Sequence, residues 1–169
     1  MPELPEVETV ARQLAPQLEG RTVVGLVVVD PKLENPSLHE DLPGARILDC
    51  RRMGKQVVLR LHTAADDRRW LCIHLRMTGR LRVLETLHGP VGLPRGALLR
   101  LDAGCVAFCG PRRFGTVRWG RRRAEAASAG REPLSRACSA DVLASLLGTS
   151  RQELKPWLLR QDRVAGLGN

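Results

Sequence analysis

Met1-Pro2-Glu3-Leu4-Pro5-Glu6-Val7-Glu8 opens the chain, and the residues around it take their meaning from how this stretch is read. An initiator methionine before a residue as small as proline is ordinarily removed, so Pro2 is expected to become the N-terminus. Its ring nitrogen would then be a secondary amine, able to attack an electrophilic carbon and pass on to an iminium. Glu3 sets a proton carrier one residue away. Downstream, Val7, Val10, Ala11, Leu14 and Leu18 recur at helical spacing, with Glu8, Arg12 and Glu19 on the opposite side. Pro5 suits the first turn of that helix, where its missing N–H is harmless. On the same wheel Glu3 falls in the apolar stripe, so the helix is predicted to aim it inward. The positive end of the helix dipole disfavours a protonated amine at Pro2. The same residues also fit a plain helix start, since acids and prolines are common there. At this point both readings stand.

The rest of the composition bounds the partner. A chain of 169 residues supports one domain with a real core and a small appendage. Its formal charge of +9 points to a polyanion. The charge is segregated: residues 1–50 hold 4 basic and 9 acidic side chains, 51–123 hold 17 and 4, and 124–169 hold 6 and 5. The positive field therefore lies in the middle of the chain. Of the 27 basic residues 24 are Arg, which suits bidentate contacts to phosphates and base edges. GC-rich coding also inflates Arg, but it does not segregate charge. Cys50, Cys72, Cys105, Cys109 and Cys138 are odd in number and contain no C-x-x-C pair. They are read as thiols of a reducing cytosol, neither a zinc site nor a disulfide framework. No signal peptide or membrane span is visible, and a cytoplasmic, nucleoid-associated protein is expected.

Gly20 stops the first helix, and eight strands are predicted after it: 22–29, 45–53, 56–61, 70–74, 81–84, 97–101, 105–108 and 116–119. Short strands with Gly and Asp turns predict a two-sheet antiparallel β-sandwich, an α+β, mostly β fold with an N-terminal helix. Residues 30–43 and 87–96 are predicted loops. The expected organisation is a sandwich domain over 1–120, a linker over 121–137 and a partial helical segment over 138–169. In the last, Ser139 or Asp141 caps one helix to Leu147, and a second runs from Ser150 to about Gln161.

Four stretches carry chemistry. Arg51-Arg52-Met53-Gly54-Lys55 reads as a basic turn between strands. In His74-Leu75-Arg76-Met77-Thr78-Gly79, Met77 is either a strand-end core residue or an apolar side chain for a void, and His74 is half-buried or a polar contact. Pro111-Arg112-Arg113-Phe114-Gly115 puts two arginines before an aromatic, either a basic hairpin tip or a finger for a groove. RQELKPWLLRQDRVAGLGN spans 151–169.

Together with MPELPEVETV, these stretches resemble, in the same order, the formamidopyrimidine-DNA glycosylase and endonuclease VIII family of base-excision repair enzymes. The matching patterns are H-L-G-M-[ST]-G, D-x-R-[RK]-F-G and V-x-G-[LIV]-G-N. The resemblance implies a bifunctional glycosylase and abasic-site lyase acting on duplex DNA with oxidised bases or abasic sites. Pro2 is then the Schiff-base nucleophile, Glu3 the acid/base, and Lys55 a phosphate contact that assists elimination. Met77 fills the space of the extruded nucleotide, in the way flipped bases are replaced, and His74 holds a phosphate. Arg112 or Arg113 pairs with the base opposite and Phe114 wedges beside it. Arg151, Lys155 and Asn169 match DNA-binding positions of the helical domain. Arg76 stands where the family has glycine, Gly110 where it has Asp, Arg160 where an acid is common, and Arg95 near a frequent histidine. The stretch ends at Asn169, before the family's second helix and zinc finger, so no metal or other cofactor is expected in it, and a monomer is. The rivals are a truncated or degenerate paralogue that binds damaged DNA without turnover, a tautomerase using Pro2 as base, and a basic RNA-binding protein.

Overall fold

The computed structural model describes residues 2–85, 96–121 and 130–169. Met1, most of the predicted 87–96 loop with Arg95, and most of the linker lie outside those residues. Leu4–Leu18 form helix α1 with Glu3 at its N-cap. Leu4, Val7, Ala11, Leu14 and Leu18 are buried along one stripe, and each full-sized apolar side chain so buried contributes about 1.5–3 kcal/mol. Gly20 follows at φ +83°, a left-handed turn that a Cβ would strain.

Eight strands build two antiparallel four-stranded sheets. One orders β1 (Val23–Val28), β6 (Ala97–Leu101), β7 (Cys105–Cys109) and β5 (Arg80–Leu84). The other orders β2 (Arg46–Met53), β3 (Gln56–His62), β4 (Arg68–His74) and β8 (Thr116–Gly120). The sandwich is the one that the sequence pattern predicts, with strand ends within two residues. Ile47, Leu59, Leu61, Leu71 and Ile73 meet Leu99, Leu101, Val106 and Phe108 in one core, which α1 covers. Burial pushes the Cys50 thiol up to about 12, with Glu19 and Asp49 adding to it, so it is an inert core thiol.

The structure corrects three expectations. The predicted loop 30–43 contains a 3-10 turn, Pro31–Leu33, and a helix, α2 (Pro36–Asp41), capped by the side chains of Asp30 and Asn35. Leu33, Leu38 and Leu42 plug the core from that segment. The helix capped by Ser139 forms as α3 (Ala140–Gly148). The one after it is short: α4 is Leu154–Leu159 only. Finally, Glu8 does not sit on a free polar face. It accepts a 2.7 Å hydrogen bond from Arg52, whose side chain is 3% exposed.

Strand register positions the site. Met53 pairs with Gln56, Gln56 with His74, and His74 with Thr116. The 54–55 turn, the 75–79 turn and the 110–115 turn therefore leave one end of the same sheet. Arg80 pairs with Cys109 in the other sheet, at the near ends of the same two turns.

Candidate active site

At that end, Pro2, Glu6, Met77, Arg80, Cys109 and Pro111 are among the residues lining an open cleft of about 780 Å³. Glu3 lies half-buried beside Pro2, as its place on the helical wheel predicts, and Glu3 Oε2 stands 2.6 Å from Lys55 Nζ. Their side chains are 21% and 10% exposed. Residues 52 positions apart in the chain thus form one carboxylate–ammonium pair next to the candidate nucleophile.

The corner is built by close packing around glycines. Gly54 turns the chain at φ +58° and so places Lys55. The Leu4 N–H donates to the Gly166 carbonyl at 3.1 Å, docking the segment after α4 onto the start of α1. A Cβ on Gly168 would lie 1.8 Å from Glu3 Oε2, so the bare glycine vacates the volume that the carboxyl fills. Gln161 clamps this segment: its amide donates to the Leu159 and Leu167 carbonyls and accepts from the Gly166 N–H.

Behind the pair, Arg52 donates to Glu8, to Glu132 and to the Gly54 carbonyl. Burial works against its charge, but the hydrogen bonds to Glu132 and Glu8 prevail and hold its pKa above the ordinary value. Burial likewise opposes the Glu8 anion, yet hydrogen bonds from Arg12 and Arg52 keep its pKa low. Residues 130–137, within the predicted linker, are fastened here: besides Glu132, the Arg131 N–H donates to Arg163 O and the Ala165 N–H to Arg131 O.

The two remaining turns present apolar side chains. Met77 is 49% and Phe114 56% exposed. His74 Nδ1 accepts the Arg76 N–H at 3.1 Å. Burial, then the nearby Arg76, Lys55 and Arg118 charges, push the His74 pKa down to about 4. The ring is neutral at pH 7, and with Nδ1 accepting, Nε2 carries the proton as a donor. Arg76, where the family pattern has glycine, takes φ +56°, a left-handed conformation. Arg113 takes φ +54° and its guanidinium donates to Asp30. Arg112 is exposed.

Pro2 and Met77 thus line one cleft, and Glu3, next to Pro2 in the chain, pairs with Lys55. Asn169 follows the Gly168 that abuts Glu3. Arg151 and Lys155 are exposed before and within α4 and do not line the cleft. Arg52, Glu132, Gln161 and Asp30 were missed, because each acts on a partner that the sequence does not mark. Among the described residues no group of three His, Cys, Asp or Glu side chains could hold a metal ion.

The class is defined by a helix-backed, two-sheet antiparallel β-sandwich with Pro2 on the wall of a loop-rimmed cleft. The model of the formamidopyrimidine-DNA glycosylase N-terminal domain matches residues 1–117, and the chain belongs to that family. It is 39% identical over 175 residues to formamidopyrimidine-DNA glycosylase of Edwardsiella ictaluri, covering all of this chain and 63% of that one. It is 41% identical over 177 residues to that of Chloroflexus aurantiacus, covering 62% of it. Among solved structures it is similar to Lactococcus lactis Fpg in complex with DNA containing N7-benzyl-Fapy-dG. The TM-score there is 0.85 and the identity 29%, covering 99% of this chain and 64% of that one. The same protein in a complex with abasic-site DNA gives a TM-score of 0.83 at 30% identity, covering 99% of this chain and 63% of that one. The chain therefore spans somewhat less than two thirds of the length of these relatives.

Proposed function

We propose that this chain is the catalytic part of a bifunctional DNA glycosylase and abasic-site lyase that removes oxidised bases at the nucleoid. The observation that carries the reading is the Glu3–Lys55 pair, 2.6 Å apart, beside Pro2 on the wall of the cleft. The Pro2 nitrogen attacks C1′, the C1′–base bond breaks and the amine proton is lost. Opening of the C1′–O4′ bond, with Glu3 delivering a proton to O4′, leaves an iminium. That cation makes the C2′ proton acidic; its removal expels the 3′-phosphate, and water then releases the amine. Lys55 holds the phosphate geometry in which this elimination occurs. Neutral His74 donates to a flanking phosphate, Met77 and Phe114 fill the space around the extruded nucleotide, and Arg112 reads the opposite base. Arg151, Lys155 and Asn169 belong to the DNA-binding set, and Arg113 to the turn that presents Arg112 and Phe114.

Borohydride trapping on a duplex with one abasic site tests this, once intact mass has shown Met1 removed. A covalent adduct is expected, lost in Pro2→Gly while weak duplex binding persists. An adduct that survives Pro2→Gly would remove the nucleophile from the scheme. Binding without any adduct from the processed protein would mean a paralogue that grips damaged DNA without turnover.

A further inference from the structure

The 110–115 turn begins at Gly110 and has no carboxylate of its own. The structure supplies one from across the molecule. Asp30, in the bend between β1 and the 3-10 turn, is 4% exposed. Its Oδ1 accepts from the Arg113 guanidinium and, at 3.1 Å, from the Lys32 N–H. The Asp30 backbone is fixed in turn, since its N–H and that of Val29 both donate to the Gly96 carbonyl. Arg113 closes the turn through its N–H to the Gly110 carbonyl, 2.9 Å, in a left-handed conformation that arginine disfavours. With its side chain tied back, Arg112 and Phe114 on either side remain exposed.

We propose that Asp30 is the positioning residue of this finger: it holds Arg113 as an anchor, so that Arg112 and Phe114 are presented to the strand opposite the reacting nucleotide. The inference rests on the glycosylase reading and goes beyond it. Arg113 is then a fastening, and the phosphate or base contact expected of the two-arginine motif falls to Arg112. A buried carboxylate abandoned by its cation is costly, which keeps the pair closed when DNA arrives.

Borohydride trapping on two substrates tests the assignment: an abasic site in a duplex, and the same strand alone, which has no opposite strand for the finger to meet. Asp30→Asn is expected to slow trapping on the duplex by about 10- to 100-fold, the scale of a misplaced positioning group, and to leave the single-strand rate unchanged. Gly110→Asp in the same protein is expected to restore most of the duplex rate. A Cβ there meets nothing within 4 Å, and an aspartate opening a turn accepts the N–H two residues on. Asp30→Asn acting like the parent on the duplex overturns the proposal. So do equal losses on both substrates, which mark general destabilisation, or no recovery with Gly110→Asp. If the parent protein forms no adduct on either substrate, the glycosylase reading fails and this inference falls with it. A working parent with an indifferent Asp30→Asn sinks the inference alone.

Discussion

The 75–79 and 110–115 turns are built alike and held differently. Each places an arginine in the left-handed region, Arg76 at φ +56° and Arg113 at φ +54°, and each follows it with an exposed apolar side chain, Met77 or Phe114. The first is held locally, by His74 Nδ1 two residues before the Arg76 N–H. The second is held from 83 residues away, by Asp30. The same backbone device can thus be fixed by a neighbour or by a distant partner, and only the first kind is visible in a motif.

The largest expected effect breaks the likeness at its tips. Stacking on an aromatic is worth about 1–3 kcal/mol per base, so Phe114→Ala is expected to weaken lesion-duplex binding by roughly 10- to 100-fold, with Met77→Ala somewhat less harmful. Titration of both variants against the same duplex checks this; equal affinity to the parent would show that the tips do not enter DNA.

A middle effect separates the two anchors by pH. His74 titrates near 4 when folded and near its ordinary 6.5 when unfolded. Between those values the unfolded chain holds more protons, so stability is full above about pH 6.5 and is lost as pH falls toward 4. Urea midpoints from pH 7 to 4 are expected to fall in the parent and to fall less in His74→Gln. Parallel curves would mean that the ring is not buried against its neighbours as the structure has it.

The smallest effect is one of sign. Arg76→Gly removes a left-handed cost of about 1–2 kcal/mol while adding glycine's unfolded freedom, so a gain in Tm of a few degrees at most is expected. Arg113→Gly relieves the same strain but strands Asp30, and it is expected to destabilise. Matching shifts in the two melts would erase the distinction between local and distant anchoring.

That distinction also explains what the sequence disclosed. The α1 stripe, the alternating strands and the Ser139 cap are short-range patterns, and the structure has them. Pro2, Glu3 and Lys55 are legible as candidates because a short motif names each one. Asp30 looked like loop polarity, and the Pro31 and Pro36 turns hid two helical pieces because their buried leucines are too few to show a period. Arg52 read as one basic residue among several; its partners Glu8 and Glu132 lie 44 and 80 residues away. The second predicted helix overran because Gln161 looks like a helix former, whereas its amide is spent on the carbonyls and N–H of the following turn.

Gly168 gives the corner a place in time. The Glu3 carboxyl is seated against a glycine 165 residues further along the chain. At a synthesis rate of about 5–20 residues per second, roughly 8 to 33 seconds separate the making of the proline from the making of the wall behind its carboxylate partner. In the emerging polypeptide the start of α1 is therefore made well before the glycine that seats the Glu3 carboxyl, and this corner is complete only once the segment after α4 has folded back onto α1.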